Sequence, residues 1–213
     1  VGFSEDRMRR VAGLHEVERV FSLADELGVE GPIPPLKVVP DPNLVARALD
    51  AFGVSRDKRK LAVQISARRP TQQWPTRHFV ELIERLHALG IAVMLVWAPG
   101  PSSHPRHPGD DEKAAAITAA FTTGAAPVAY RTERLAELIG ALAACDAVVT
   151  SDGGAMHLAA ALQKPIVCFF GDVPPEQWYP RGVPHRILRA ASRQVADIPV
   201  DETVAALREL LAI

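Results

Sequence analysis

An α/β fold, a parallel sheet with helices on both faces, is the class this sequence predicts. From residue 61 onward, short apolar runs of strand length alternate with amphipathic stretches of helix length, several times over. Between each pair lies a loop rich in glycine, proline or polar residues. The 213 residues, 48% hydrophobic and 23% charged, are enough to bury a substantial core.

Residues 1–60 read as a helical lead-in and linker, and 61–213 as the α/β domain. In the lead-in, residues 15–27 carry Val17, Val20, Phe21, Ala24 and Leu27 at helical spacing and stop at Gly28. Residues 43–52 repeat that pattern before Gly53, and the proline-rich GPIPPLKVVPDP between the two helices is a connector. In the domain, strands are expected over 61–65, 91–96, 127–129, 147–150 and 166–170. Helices are expected over 76–89, 111–121, 132–144, 155–162 and 201–211. No internal repeat or low-complexity block interrupts them.

Charge and composition exclude several classes. A formal charge of -1 with interspersed signs argues against a nucleic-acid surface. No apolar run approaches the roughly 20 residues that span a bilayer, and VGFSEDRMRR lacks the apolar core of a secretory signal. A cytoplasmic protein is expected, with a small or locally charged ligand still open. Cys145 and Cys168 lie in or beside apolar runs, as buried reduced thiols do. The chain begins with Val1, as part of a longer protein or a processed one would.

Ligands of such folds collect beyond the carboxyl ends of the strands. Four loops there are unusual: SARRPTQQWP, APGPSSHPRHPGDDE, SDGG and GDVPPEQWYPRG. In SDGG, Gly153 and Gly154 permit a tight turn and close approach of a ligand, and the helix after them opens with unpaired amides and a positive dipole end. That is a natural phosphate seat. The same residues also suit a simple helix cap by Ser151 or Asp152, and the local pattern leaves both readings open.

The neighbouring residues carry their own alternatives. His157, in the first helical turn, reads as a packed or hydrogen-bonded group before it reads as a catalyst, and Met156 as packing. Arg68 and Arg69 offer forked donors suited to pyrophosphate, or else form an exposed solvated loop. His104 and His107 have metal-like spacing, but Pro105 and Pro108 oppose the helix that commonly presents such a pair. Asp110, Asp111 and Glu112 suit a helix N-terminus, and one of them could bind ribose hydroxyls. No G-x-S-x-G elbow occurs.

Together these loops resemble the C-terminal, donor-binding domain of glycosyltransferase family nine, the heptosyltransferases of lipopolysaccharide assembly. The resemblance runs over residues 14–212 and is carried by HEVERVFSLADELGV, the Trp74-Pro75 loop, ELIGALAACDAVVTSDGGAMHLAAAL, PIVCFFG and the Trp178/Pro180 loop. It implies a Rossmann-like half of a GT-B enzyme, in which two such domains enclose the active site. It further implies that Asp152 helps hold the donor sugar, and that the amides of Gly154 and Ala155, with Met156, hold the pyrophosphate beside Gly153. One of Asp111 and Glu112 would contact ribose, with Glu112 preferred.

Two departures from the family pattern matter. Where members often carry a phosphate-neutralising lysine, two residues before the tryptophan, this chain has Gln72, so Arg68 or Arg69 would have to supply that charge. The family's N-terminal domain, with the acceptor site and the proposed general base, has no counterpart, and no catalytic base is expected in this chain. The resulting expectation is the donor half of an inverting, metal-independent glycosyltransferase. It would use a nucleotide-diphosphate sugar, ADP-linked, as donor substrate with no cofactor, and a glycan or lipid-linked acceptor at the inner face of the cell membrane. The rival expectations are a non-catalytic nucleotide-sugar-binding domain and a sugar-nucleotide epimerase of similar fold.

Overall fold

The computed structural model describes residues 13–29, 31–55, 57–122 and 126–213. Its centre is a six-stranded, wholly parallel sheet in the order β3-β2-β1-β4-β5-β6. The strands are β1 (Lys60–Gln64), β2 (Ala92–Trp97), β3 (Val128–Arg131), β4 (Ala147–Ser151), β5 (Ile166–Phe169) and β6 (His185–Leu188). Around them lie α1 (Glu16–Glu26), α2 (Pro42–Phe52), α3 (Thr76–Ala88), α4 (Asp111–Ala119), α5 (Leu135–Ala143), α6 (Gly154–Ala161), α7 (Pro175–Trp178) and α8 (Val200–Leu211).

The four central strands are buried along their whole length, whereas β3 and β6, at the edges, carry partly buried and exposed positions, with only Leu188 of β6 buried. Parallel sheets covered on both faces have this character, because alternate side chains feed two separate cores. Leu61, Val63, Val93, Leu95, Val149 and Phe169 point into one core, shared with Phe79, Leu82 and Leu86 of α3, Ile117 of α4 and Leu207 of α8. Ala62, Met94, Val148 and Cys168 point into the other, shared with Phe52 of α2, Leu142 of α5 and Ala160 of α6. Phe79 is 1% exposed, and truncating such a residue to alanine costs about 3–5 kcal/mol.

Every strand and helix expected from the pattern is present, with ends displaced by at most three residues. The largest shift is in α5, which begins at Leu135 rather than at Thr132. Glu137 decides this, since its carboxylate accepts from the backbone N–H groups of Glu133 (2.8 Å) and Arg134 (3.1 Å) and so ends the extended chain there. One α-helix and one strand went unrecognised in the sequence, α7 and the edge strand β6, as did the 3-10 turns Pro70–Gln72 and Val195–Asp197. HRIL is four residues long with only Leu188 fully buried, so its apolar signal is weak. Helix α2 packs Ala48 and Phe52 into the second core, which makes it a layer of the α/β unit as well as part of the lead-in. The N-terminal stretch 1–12 lies outside the described residues.

Cys145 and Cys168 are free, buried thiols, as expected, and burial pushes the Cys145 thiol up to about 12. No helix of the described residues is long and apolar enough to cross a membrane.

Candidate functional site

The strand order reverses between β1 and β4. The loop after β1 leads to α3 on one face of the sheet, and the loop after β4 leads to α6 on the other, so a crevice opens between them at the carboxyl edge. SDGG and SARRPTQQWP, singled out for their composition, are the two loops that flank it.

SDGG is built as a strand-to-helix turn. Gly153 has φ 157° and ψ -173°, a region open essentially to glycine alone, and it serves as N-cap of α6 without any capping side chain. Asp152 therefore does not act as the helix cap. Among the described residues, no group accepts from the amides of Gly154 and Ala155, while those of Met156 (3.1 Å) and His157 (3.5 Å) turn back to the Gly153 carbonyl. The Met156 amide is thus already engaged, and its side chain is fully buried in the second core, which leaves it a packing residue. A Cβ on Gly154 would meet nothing within 4 Å, so the space beside Gly154 at the start of α6 is open. Two donors at the positive end of a helix dipole make an anion seat.

The loop after β1 is bolted onto this turn. Its short 3-10 helix, Pro70–Gln72, places the Gln72 backbone carbonyl 2.8 Å from the Ser151 hydroxyl, which donates to it. The Gln72 side-chain amide donates to Asp152 Oδ2 at 2.8 Å. Gln72 is 5% exposed, so it supports Asp152 from below and does not present itself to the crevice. Burial pushes the Asp152 carboxyl above the usual carboxylate range, with Gln72 and the charge of Arg69 opposing the shift. Trp74, 2% exposed, anchors the far end of the loop through its Nε1, which donates to the Ile198 carbonyl at 2.9 Å.

The loop after β5 joins from the other side. Thr71 Oγ1 donates to Asp172 Oδ1 at 2.8 Å, and Arg69 lies 3.9 Å from the same oxygen. A Cβ on Gly171 would come within 2.5 Å of the Thr71 carbonyl oxygen, so only glycine lets the two loops approach this closely. Arg69 and Arg68 are exposed beside this junction. Trp178 of α7 lies edge-on to the His157 ring, 6.1 Å between centroids, and burial holds that imidazole below its ordinary pKa. A neutral, half-buried His157 supports the turn as packing.

The loop after β2 stands further along. Trp97 Nε1 (2.7 Å) and Arg131 (3.1 and 3.2 Å) occupy both oxygens of Asp111, and these bonds hold its carboxyl down to about 2. Glu112 is exposed and accepts from the Ser102 amide at 3.0 Å. Of the two candidates for a ribose contact, Glu112 is the less committed. His104 and His107 stack in an exposed turn, with His104 Nδ1 accepting the His107 amide at 3.0 Å, and no group of three or more metal-ligating side chains occurs among the described residues.

The crevice thus gathers Arg69, Asp152, Gly153, Gly154 and Ala155, with Gln72 beneath Asp152, leaves Arg68 exposed beside it, keeps Glu112 in the neighbouring loop and sends Met156 into the core. Thr71 and Asp172 were missed from the sequence, and Ser151, read there as a candidate helix cap, instead donates to the Gln72 carbonyl. A readable signal for Asp172 existed, an acid directly after the glycine in the loop that follows β5. Lys113 was missed as well; its ammonium donates to the Ile65 carbonyl at 3.0 Å, 4.7 Å from the centre of the Phe79 ring.

Comparison with known proteins bears on the family and the fold. Residues 2–202 match the family model for glycosyltransferase family 9 (heptosyltransferase). Lipopolysaccharide heptosyltransferase 2 of Salmonella typhimurium is 32% identical over 120 residues, which is 56% of this chain and 33% of that protein. The structure of E. coli ADP-heptose LPS heptosyltransferase II is similar with a TM-score of 0.72 and 25% identity, over 86% of this chain and 56% of that one. A family 9 glycosyltransferase from Veillonella parvula shares the fold with a TM-score of 0.81 at 18% identity, over 93% of this chain and 60% of that one. The chain therefore spans about a third of the curated relative's length and 56% of the solved E. coli chain.

Proposed function

The chain belongs to glycosyltransferase family 9, and from that premise we propose that it supplies the donor site of a sugar transferase of lipopolysaccharide assembly. The donor is a nucleotide-diphosphate sugar, ADP-heptose by similarity to the E. coli enzyme named for it. The observation that carries this reading is the pair of unpaired amides at Gly154 and Ala155, with open space beside Gly154, at the switch point of the sheet. A diphosphate placed there receives two backbone hydrogen bonds and the helix dipole, and Arg69 of the β1 loop is close enough for its charge to act on Asp152.

The chemistry follows from that placement. Transfer breaks the bond between the sugar's anomeric carbon and the diphosphate oxygen while an acceptor hydroxyl attacks from the opposite face and inverts the centre. Negative charge grows on the departing diphosphate, and fixed amides with an arginine stabilise it without a metal ion. Asp152 orients the sugar. The base that takes the acceptor's proton belongs to the family's other domain, and the acceptor is a lipid-linked glycan at the inner face of the membrane. Glu112 is the ribose contact.

Calorimetric titration with ADP and ADP-heptose in the presence of a chelator tests the reading. Saturable binding of both is the expected result; no binding of either by the folded protein would overturn it.

A second reading, a nucleotide-sugar-binding domain without turnover, draws on Gln72. Its buried amide occupies the position where the family often holds a cation. Transfer from ADP-heptose by the natural full-length protein separates the two readings, since a binding domain retains affinity and transfers nothing.

A further inference from the structure

Adjacent residues of one 3-10 turn each hold a different carboxylate at the crevice. Gln72 holds Asp152 from the β4 loop, and Thr71 holds Asp172 from the β5 loop, both at 2.8 Å. The two carboxylates are near enough for the charge of Asp172 to add to the upward push on Asp152. Asp172 itself is held below the usual carboxylate range, chiefly by the Thr71 hydroxyl. Thr71 and Arg69 both address Oδ1, the side chain is 48% exposed, and no described side chain hydrogen-bonds its other oxygen.

This distribution of charge divides the crevice. The amide end attracts anions, while the acidic end repels them and offers acceptor-only oxygens, the complement of neutral hydroxyl groups. A ligand that satisfies both ends has its diphosphate on α6 and a hydroxyl-bearing, uncharged portion against the acids.

We propose that Asp172 is a specificity-determining residue of the donor site, whose free oxygen accepts from a hydroxyl of the donor sugar and disfavours sugars bearing an acid group there. The assignment rests on the donor-site reading above. Thr71 is the positioning residue, because its hydroxyl fixes the rotamer from which the outer oxygen faces the sugar.

The test is the ratio of the dissociation constants for ADP and ADP-heptose, measured calorimetrically on the full chain and on Asp172→Asn and Thr71→Val. The wild type should bind ADP-heptose more tightly than ADP. Asp172→Asn should reduce that preference by about tenfold, the loss expected for one hydrogen bond to a charged acceptor. Thr71→Val, which keeps the carboxylate and removes its anchor, should reduce the preference less. An unchanged ratio in Asp172→Asn, equal weakening of both ligands, or a wild type with no preference for the sugar would overturn the assignment. A wild type that binds neither ligand would overturn the donor-site reading itself, a distinguishable failure.

Discussion

Gln72 and Asp152, 80 positions apart in sequence, meet through a 2.8 Å hydrogen bond that joins the loops on either side of the strand-order reversal. Ser151 reinforces the junction by donating to the Gln72 carbonyl, also at 2.8 Å. The residue that departs from the family's usual lysine has therefore become part of the support of the site.

Replacing Gln72 by leucine should leave a half-buried carboxylate without its donor. The cost at neutral pH should be about 1–3 kcal/mol in denaturant unfolding, the usual penalty for a buried polar group deprived of its partner. Combined with Asp152→Ala, the loss should be smaller than the sum of the two single losses, because the orphaned group is gone. Strict additivity in that cycle would mean the bond contributes nothing.

Asp152 should also give the site a pH dependence of definite sign. Its folded-state pKa lies above its unfolded value, so the folded protein binds the proton more readily. Relative to Asp152→Asn, the wild type should gain stability as pH falls through the raised pKa, and lose it again as pH rises. ADP, an anion, should bind more tightly as Asp152 becomes neutral, and the affinity difference between wild type and Asp152→Asn should narrow toward acid pH. A difference that stays constant from pH 4 to pH 8, about the carboxylate range and above, would show that Asp152 does not sense the ligand.

Asp111 should behave in the opposite way. Arg131 and Trp97 lower its pKa from 3.8 to about 2, so its contribution is present at neutral pH and disappears as pH falls through about 2. Comparison of wild type with Asp111→Asn by thermal unfolding should show the wild type more stable above pH 4, about the ordinary carboxylate value, and converging with the variant toward the lower limit.

Gly153 and Gly154 separate backbone strain from ligand approach. Gly153→Ala must hold a conformation essentially closed to other residues, and should cost about 1–3 kcal/mol of stability. Gly154→Ala meets open space and sits in the first turn of α6, so stability should be unchanged or slightly higher. Its methyl nevertheless intrudes on the seat, since side chains lean toward a helix N-terminus, and ADP affinity should drop. Undiminished ADP binding by Gly154→Ala would place the diphosphate elsewhere.

Arg69 and Arg68 should differ although they are adjacent. Arg69, 3.9 Å from Asp172, is held toward the crevice, and Arg69→Gln should weaken ADP more than Arg68→Gln, with neither changing the melting temperature. Equal effects in titration would mean that only overall charge at the rim matters.

Much of this protein was legible in the order of its residues, for a physical reason. A parallel sheet buried on both faces requires continuous apolar runs such as LAV and AVMLVW, and amphipathic helices to cover them, so the repeating pattern of periods announced the layers. SDGG was legible as a turn at a helix start because Gly153 and Gly154 act through their own backbone. What the tertiary structure decided was which side chains face one another. The 321456 strand order put the β1 and β4 loops side by side, which made Gln72 a buried partner of Asp152 and brought Thr71 to Asp172. It also sent Met156 into the core, because a fully buried side chain and an amide already bonded to Gly153 leave nothing for a ligand. Local sequence determines dihedral preference and periodicity, whereas contacts between residues 80 and 101 positions apart exist only after the sheet has ordered its strands.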